Sequence, residues 1–214
     1  MKISNGIYLV IDPSMKRDAL IEKVAAAANA GLAAVQVWDN LSQVENTDKL
    51  FSELADITRS HDTPLLINNR TDLLKAHPFD GIHFDDIPGN ESLNQLPDNY
   101  IKGITCNNDL SVISWADENT FDYVSFCSVF PSSTSNSCEL VTFDTIRQAR
   151  AMTNMPIFLA GGINMKTIAK LNALDYSGVA IVSGIMDADD TNKAVNAYAQ
   201  AIASRGINNK NINS

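Results

Sequence analysis

The chain has 214 residues, of which 45% are hydrophobic and 19% are charged. This composition is typical of a globular protein and excludes a disordered chain, and the length fits a single domain. Sixteen Lys and Arg residues stand against 25 Asp and Glu residues, which leaves a net charge of −9. A chain this acidic is not expected to bind nucleic acid, and any phosphate that it binds is expected to be held locally by backbone amides.

No segment of the chain has the pattern of a targeting or membrane sequence. The apolar run near the N-terminus is short, and no stretch approaches the roughly 20 apolar residues of a membrane span. The three cysteines, Cys106, Cys127 and Cys138, lack metal-ligand spacing and are interpreted as reduced thiols. We therefore expect a soluble, cytoplasmic protein with no membrane partner.

Short apolar segments alternate along the chain with longer segments of helical periodicity, and this alternation predicts repeated βα units around a parallel sheet. Strands are predicted at residues 6–11, 33–37, 64–67, 81–84, 101–105, 123–126, 157–160 and 178–182. The clearest helices are predicted at residues 17–30, 48–60 and 142–152, whereas 88–99 favours only a short or irregular helix. Eight units predict an α/β fold, a single-domain (β/α)₈ TIM barrel over residues 1–205, with a disordered tail at 206–214.

In such a barrel the active site lies where the strands end, so the residues that follow each strand are the candidates. Polar side chains occupy most of these positions: Asp12, Gln36, Asn68, Asn69, His83, Thr105 and Asn107. Trp38 either stacks on a flat ligand ring or caps the barrel rim. His83 is flanked by Ile82 and Phe84 and is interpreted as a packed residue rather than a general base.

Glycines after the seventh and eighth predicted strands indicate a phosphate site. Gly161 and Gly162 follow one strand, and Val182, Ser183 and Gly184 follow the other. Glycine allows a close backbone approach, and exposed amides at a helix start attract an anion. The alternative is that the glycines serve only a tight turn. Ser132 and Thr134, in the loop after the sixth strand, either complete the phosphate cradle or belong to a flexible surface loop.

Two adjacent carboxylates after the fourth strand are candidate metal ligands. Asp85 and Asp86, with the amide oxygen of Asn69, are the oxygen donors that Mg²⁺ prefers. Adjacent aspartates before a proline are also typical of a solvated turn, so both interpretations stay open.

Nearly the whole chain resembles thiamine-phosphate synthase and its thiazole-tautomerase relatives. The matching segments are 8–12, 35–37, 67–73, 80–83, 103–105, 122–124, 129–131, 160–163 and 178–183. The resemblance implies a synthase that joins hydroxymethylpyrimidine pyrophosphate to hydroxyethylthiazole phosphate, using Mg²⁺ and releasing pyrophosphate. It assigns catalysis to Asn69 and Thr105, and the metal to Asp86 and Asn69. It assigns substrate binding to Gln36, Trp38, Asn68, Ser132 and Thr134, and phosphate binding to Gly161, Gly162, Val182 and Ser183.

The chain departs from the family pattern on the pyrophosphate side. Residues 36–40 read QVWDN where the family has Arg and Lys, Ser135 stands in place of a Lys, and Asn69 in place of an Asp. Ser128 stands where the tautomerase has its His. Three hypotheses follow: the synthase reaction, a non-catalytic or regulatory binder of thiazole phosphate or thiamine phosphate, and an isomerase or lyase acting on another phosphorylated small molecule. All three take a phosphorylated small-molecule ligand, and the oligomeric state, including a homodimer, stays open.

Overall fold

The computed structural model describes residues 2–94, 96–97, 99–131 and 139–204. Eight strands form the sheet: β1 (Gly6–Ile11), β2 (Ala34–Val37), β3 (Leu65–Asn68), β4 (Gly81–Phe84), β5 (Ile101–Thr105), β6 (Tyr123–Phe126), β7 (Ile157–Leu159) and β8 (Gly178–Ile181). Each pairs in parallel with the next, and β8 pairs with β1 to close a barrel. The predicted single-domain (β/α)₈ barrel is therefore confirmed, with every strand within one residue of its predicted bounds.

Seven helices lie among the described residues: α1 (Arg17–Ala30), α2 (Thr47–Arg59), α3 (Asn90–Asn94), α4 (Ser111–Glu118), α5 (Phe143–Met152), α6 (Ser183–Met186) and α7 (Thr191–Ala203). Short 3₁₀ helices stand at Thr71–Leu73 and Ile168–Ala173. In the described part of the segment 88–99 the helix is the five-residue α3, a short helix as its Gly and Pro content predicts. None of the described helices combines the length and hydrophobicity that a membrane crossing requires. The predicted tail at 206–214 lies outside the described residues.

Three aromatic rings fill the middle of the barrel. Tyr8 lies 5.9 Å from Tyr123 and 5.4 Å from Phe158 between ring centroids. Room for them comes from glycine on a neighbouring strand, since a Cβ atom on Gly103 would lie 2.0 Å from the Tyr123 ring. Side chains of the opposite parity point outward and pack against the helices in a second, larger apolar cluster. The interior is therefore solid below the mouth, and a ligand can enter only at the strand ends.

Candidate active site

A cavity of about 460 Å³ opens at the carboxyl ends of the strands. Its walls come from seven of the eight strands and the loops that follow them. The lining consists of Tyr8, Val10, Gln36, Trp38, His83, Asp85, Asp86, Thr105, Asn107, Tyr123, Ser125, Cys127, Phe158, Ala160, Gly161, Ala180 and Val182. This lining includes two carboxylates, and among the described residues it includes no Lys or Arg.

A continuous series of hydrogen bonds crosses the floor of the cavity. Ser125 and Thr105 are joined between hydroxyl oxygens over 2.9 Å, and Thr105 Oγ1 lies 2.9 Å from His83 Nε2. His83 Nδ1 lies 2.9 Å from the Tyr123 hydroxyl, which lies 2.8 Å from the Tyr8 hydroxyl. Side chains from four strands, β1, β4, β5 and β6, thus meet in one network, although Tyr8 and Tyr123 are 115 residues apart.

The network continues through two amide side chains near strand ends, Gln36 and Asn68, to a carboxylate. The Tyr8 hydroxyl donates to Gln36 Oε1 over 2.8 Å, and Gln36 Nε2 donates to Asn68 Oδ1. Asn68 Nδ2 then donates to Asp85 Oδ2 over 3.0 Å. Asn68 is buried and lies behind the cavity wall, so it contacts the cavity only through Gln36 and Asp85.

Burial keeps the titratable groups of the floor neutral. It lowers the pKa of His83 to about 4, with the Asp85 charge opposing part of that change. Burial also raises the pKa of Tyr8 and of Tyr123 well above the ordinary value of 10.0. At neutral pH the floor therefore consists of an uncharged imidazole and uncharged hydroxyls, and the negative charge of the cavity lies at Asp85 and Asp86.

A second, smaller recess of about 230 Å³ adjoins the cavity where β7 and β8 end. All four predicted phosphate-binding residues, Gly161, Gly162, Val182 and Ser183, line it. It shares Gly161 and Val182 with the larger cavity, so the two spaces are neighbours. Ser183 begins α6, and the first amides of a helix have no partner within the helix. The recess therefore offers N–H donors to an anion.

The two glycines of the recess are required by the backbone. Both have positive φ angles, 86° at Gly161 and 64° at Gly162. A Cβ atom on Gly161 would lie 2.3 Å from Ser128 Oγ, and one on Gly162 would lie 2.5 Å from the Pro131 carbonyl oxygen. The turn itself is anchored, since the Thr167 hydroxyl donates to the Gly162 carbonyl over 3.0 Å. A tight turn and an anion cradle are thus compatible here rather than exclusive.

The described oxygen donors do not fit a resident Mg²⁺ ion. Asn69 Oδ1 accepts from the backbone N–H of Asp85 over 3.0 Å, so its Nδ2 faces the carboxylates of Asp85 and Asp39, at 2.8 and 3.2 Å. An amide NH₂ thus occupies the space between two carboxylates that a cation would take. Among the described residues no three His, Cys, Asp or Glu side chains converge on a common point. Magnesium bound by Asp86 and Asn69 stays a prediction.

The structure brings most of the predicted site residues to one place. Gln36, Trp38, Thr105 and Asp86 line the cavity, while Asn69 lies beside it in contact with Asp85. Ser132 and Thr134 lie outside the described residues. The sequence interpretation missed Tyr8, Tyr123 and Ser125, and it treated His83 as packing alone.

A signal for the missed residues exists in the strand alternation. Tyr8 has the same parity as Val10, His83 as Asp85, and both Tyr123 and Ser125 as Cys127, so each lies below a residue that lines the mouth of the cavity. Counting back in steps of two from a strand end finds them.

A closed (β/α)₈ barrel with its cavity at the mouth defines the class of this protein, and comparison with known proteins gives its family. The family model described as thiamine monophosphate synthase matches residues 7–185. Thiamine-phosphate synthase of Vibrio campbellii is 31% identical over 195 residues, covering 90% of this chain and 95% of that protein. The Clostridioides difficile enzyme of the same name is 29% identical, with coverage of 92% and 94%.

Among solved structures, thiamine phosphate pyrophosphorylase of Pyrococcus furiosus has the same fold. It superposes with a TM-score of 0.80 at 23% identity, covering 94% of this chain and 96% of that one. The chain belongs to the thiamine monophosphate synthase family, the transferases of thiamine biosynthesis, as the sequence resemblance predicts.

Proposed function

We propose that the protein performs the joining reaction that the family name describes, in the cytoplasm. A ring nitrogen of hydroxyethylthiazole phosphate forms a bond to the methylene carbon of hydroxymethylpyrimidine pyrophosphate. The carbon–oxygen bond to the pyrophosphate breaks, and the products are thiamine phosphate and pyrophosphate. The observation that carries the proposal is the amide-lined recess beside the main cavity, because it suits one phosphate monoester next to a space for two rings.

The recess is proposed to hold the phosphate of the thiazole substrate. Backbone amides at Gly162 and Ser183 supply neutral donors, which is the means of binding phosphate that a chain of net charge −9 requires. With the phosphate there, the thiazole ring would extend past Gly161 and Val182 into the larger cavity. Trp38, which is exposed at the mouth, then provides a flat apolar surface on which one of the rings can stack.

The carboxylates of the cavity support the bond-forming step. Joining the rings turns a neutral thiazole nitrogen into a positively charged thiazolium, so positive charge develops as the bond forms. Asp85 and Asp86 are fixed negative charges in the wall of the same cavity and favour that development. Thr105 is proposed to contact the reacting groups from the floor.

The proposal is tested with both substrates and Mg²⁺, following thiamine phosphate by mass spectrometry. We expect product, and a raised KM for the thiazole phosphate in Ser183→Asp, because a carboxylate in the recess repels the phosphate. Ser52→Asp, on the exposed face of α2, adds the same charge away from the mouth and should leave the KM unchanged. Absence of product at enzyme concentrations equal to the substrate would reject the joining reaction.

A non-catalytic or regulatory role is a second candidate, and the lining of the cavity favours it. A departing pyrophosphate needs cations, yet among the described residues the lining has carboxylates and no Lys or Arg. This candidate predicts that calorimetry detects binding of thiazole phosphate or thiamine phosphate in a protein that forms no product. Weak binding of both ligands, unaffected by Ser183→Asp, would reject it.

A further inference from the structure

Each hydrogen bond of the floor network has one donor and one acceptor, and the carboxylate at one end of the network determines which group is which. A carboxylate at neutral pH only accepts, so the Asn68 group that faces Asp85 must be its NH₂. The Asn68 oxygen then faces Gln36 and accepts from its NH₂, which leaves the Gln36 oxygen facing Tyr8. The Tyr8 hydroxyl must therefore donate to Gln36.

The same reasoning continues through the hydroxyl groups, because each carries one proton. Tyr8 has used its proton on Gln36, so Tyr123 donates to Tyr8. Tyr123 has then used its own, so His83 Nδ1 carries a proton and donates to Tyr123. The imidazole is buried against hydroxyls and is neutral, so Nε2 is bare and accepts from Thr105.

The last link lies at the ligand side of the floor. Thr105 has donated to His83, so Ser125 donates to Thr105. We propose that Asp85 fixes the donor-to-acceptor direction of every hydrogen bond in the floor network, which runs from Ser125 to Asp85. Ser125 and Thr105 therefore select a ligand that presents an N–H or O–H donor to the floor.

Ser125 and Thr105 both line the cavity, and both of their hydroxyl protons are used in hydrogen bonds within the network. The two hydroxyl oxygens can therefore only accept hydrogen bonds from a ligand, through their lone pairs. A ligand group with lone pairs but no proton would leave two acceptors facing each other, which costs binding free energy. This step rests on the proposed function. In that function the donor that the ligand presents to the floor is an amino group on a heterocyclic ring. Ser125 is then a specificity-determining residue.

The donor-to-acceptor direction of the hydrogen-bond network can be measured without any ligand. In the protein labelled with ¹⁵N at histidine, the resonances of His83 are identified by their absence in His83→Gln. We expect the neutral tautomer with Nδ1 protonated and Nε2 bare. An Nε2–H tautomer in the unmodified protein would overturn the proposal.

Removing the Tyr8 hydroxyl from the hydrogen-bond network tests what fixes the tautomer of His83. Tyr8→Phe releases Tyr123 to donate to His83, so the Nε2–H tautomer should become populated. Tyr100→Phe removes a hydroxyl that bonds the Leu74 carbonyl outside the barrel, and it should change nothing. A His83 tautomer that stays wholly Nδ1–H in a folded Tyr8→Phe protein would show that Asp85 does not set the direction.

Selection of the ligand is tested by calorimetry with thiamine phosphate and with the analogue that has hydrogen in place of the pyrimidine amino group. We expect the analogue to bind roughly tenfold more weakly, and Ser125→Ala to remove most of that difference. Ser111→Ala, on the exposed start of α4, should preserve it. Equal binding of the two compounds contradicts the selection by Ser125, whereas failure of both to bind contradicts the proposed function instead.

Discussion

The buried imidazole of His83 should make the stability of this protein depend on pH in a way that one substitution removes. His83 is 6% exposed, and both of its ring nitrogens contact hydroxyl groups of the barrel interior. Burial lowers its pKa from 6.5 to about 4. In the unfolded chain the same side chain regains its ordinary pKa, so the two states bind different numbers of protons between these values.

The sign and the magnitude follow from this difference. Between pH 6.5 and about 4 the unfolded chain is protonated at His83 and the folded protein is not. Acid therefore favours unfolding, and the free energy of unfolding falls by about 1.4 kcal/mol for each pH unit, or about 3 kcal/mol over the interval. The contribution is complete above pH 6.5 and is lost as the pH falls toward 4.

Urea denaturation at several pH values between 8 and 5, followed by circular dichroism, measures this contribution. His83→Gln should be less stable than the unmodified protein at pH 8, because it disturbs the floor network. It should also lose less stability on acidification, by about 2 kcal/mol at pH 5. His61→Gln, at an exposed position, serves as the control and should keep the full pH dependence. Parallel pH profiles for the unmodified protein and His83→Gln would refute the reasoning.

Other substitutions test the packing and the recess. Gly103→Ala should cost about 1 to 3 kcal/mol in urea denaturation, because its Cβ meets the Tyr123 ring, whereas Gly89→Ala meets open space and should leave packing unaffected. Asp190→Ala removes the side chain that caps α7 and should cost about 1 kcal/mol, seen as a lower Tm. Gly162→Ala should weaken calorimetric binding of thiazole phosphate, since its Cβ meets the Pro131 carbonyl oxygen and displaces the turn; unchanged affinity would contradict the role of the recess.

The barrel was predictable because its signal is local and repeated. Strands buried on both faces read as short apolar runs, and amphipathic helices between them read as apolar stripes. The phosphate recess was predictable for a similar reason. Gly161, Gly162, Val182 and Ser183 lie at the ends of neighbouring strands, and barrel geometry brings those ends together whatever the remaining side chains are.

The floor of the cavity was not predictable in the same way. Tyr8 and Tyr123 look like apolar strand residues in the sequence, and their hydroxyls acquire a role only because β1 and β6 face each other across the barrel. His83 was interpreted as packing, and it is indeed buried, but its neighbours are hydroxyl groups that engage both ring nitrogens. The sequence interpretation makes the amide oxygen of Asn69 a metal ligand. In the structure that oxygen accepts a hydrogen bond from the backbone N–H of Asp85, so the amide nitrogen faces the carboxylates.

The sequence pattern alone was thus enough to predict eight βα units, their boundaries and the residues at each strand end, because these depend on neighbours within a few positions. Closure of the barrel decided which side chains touch. It pairs β8 with β1 and sets the parity of every strand, so that Tyr8 and Tyr123, 115 positions apart in the chain, bond directly within one floor. A shift of one residue in any strand would turn its polar side chains outward, and the arrangement therefore exists only in the folded barrel.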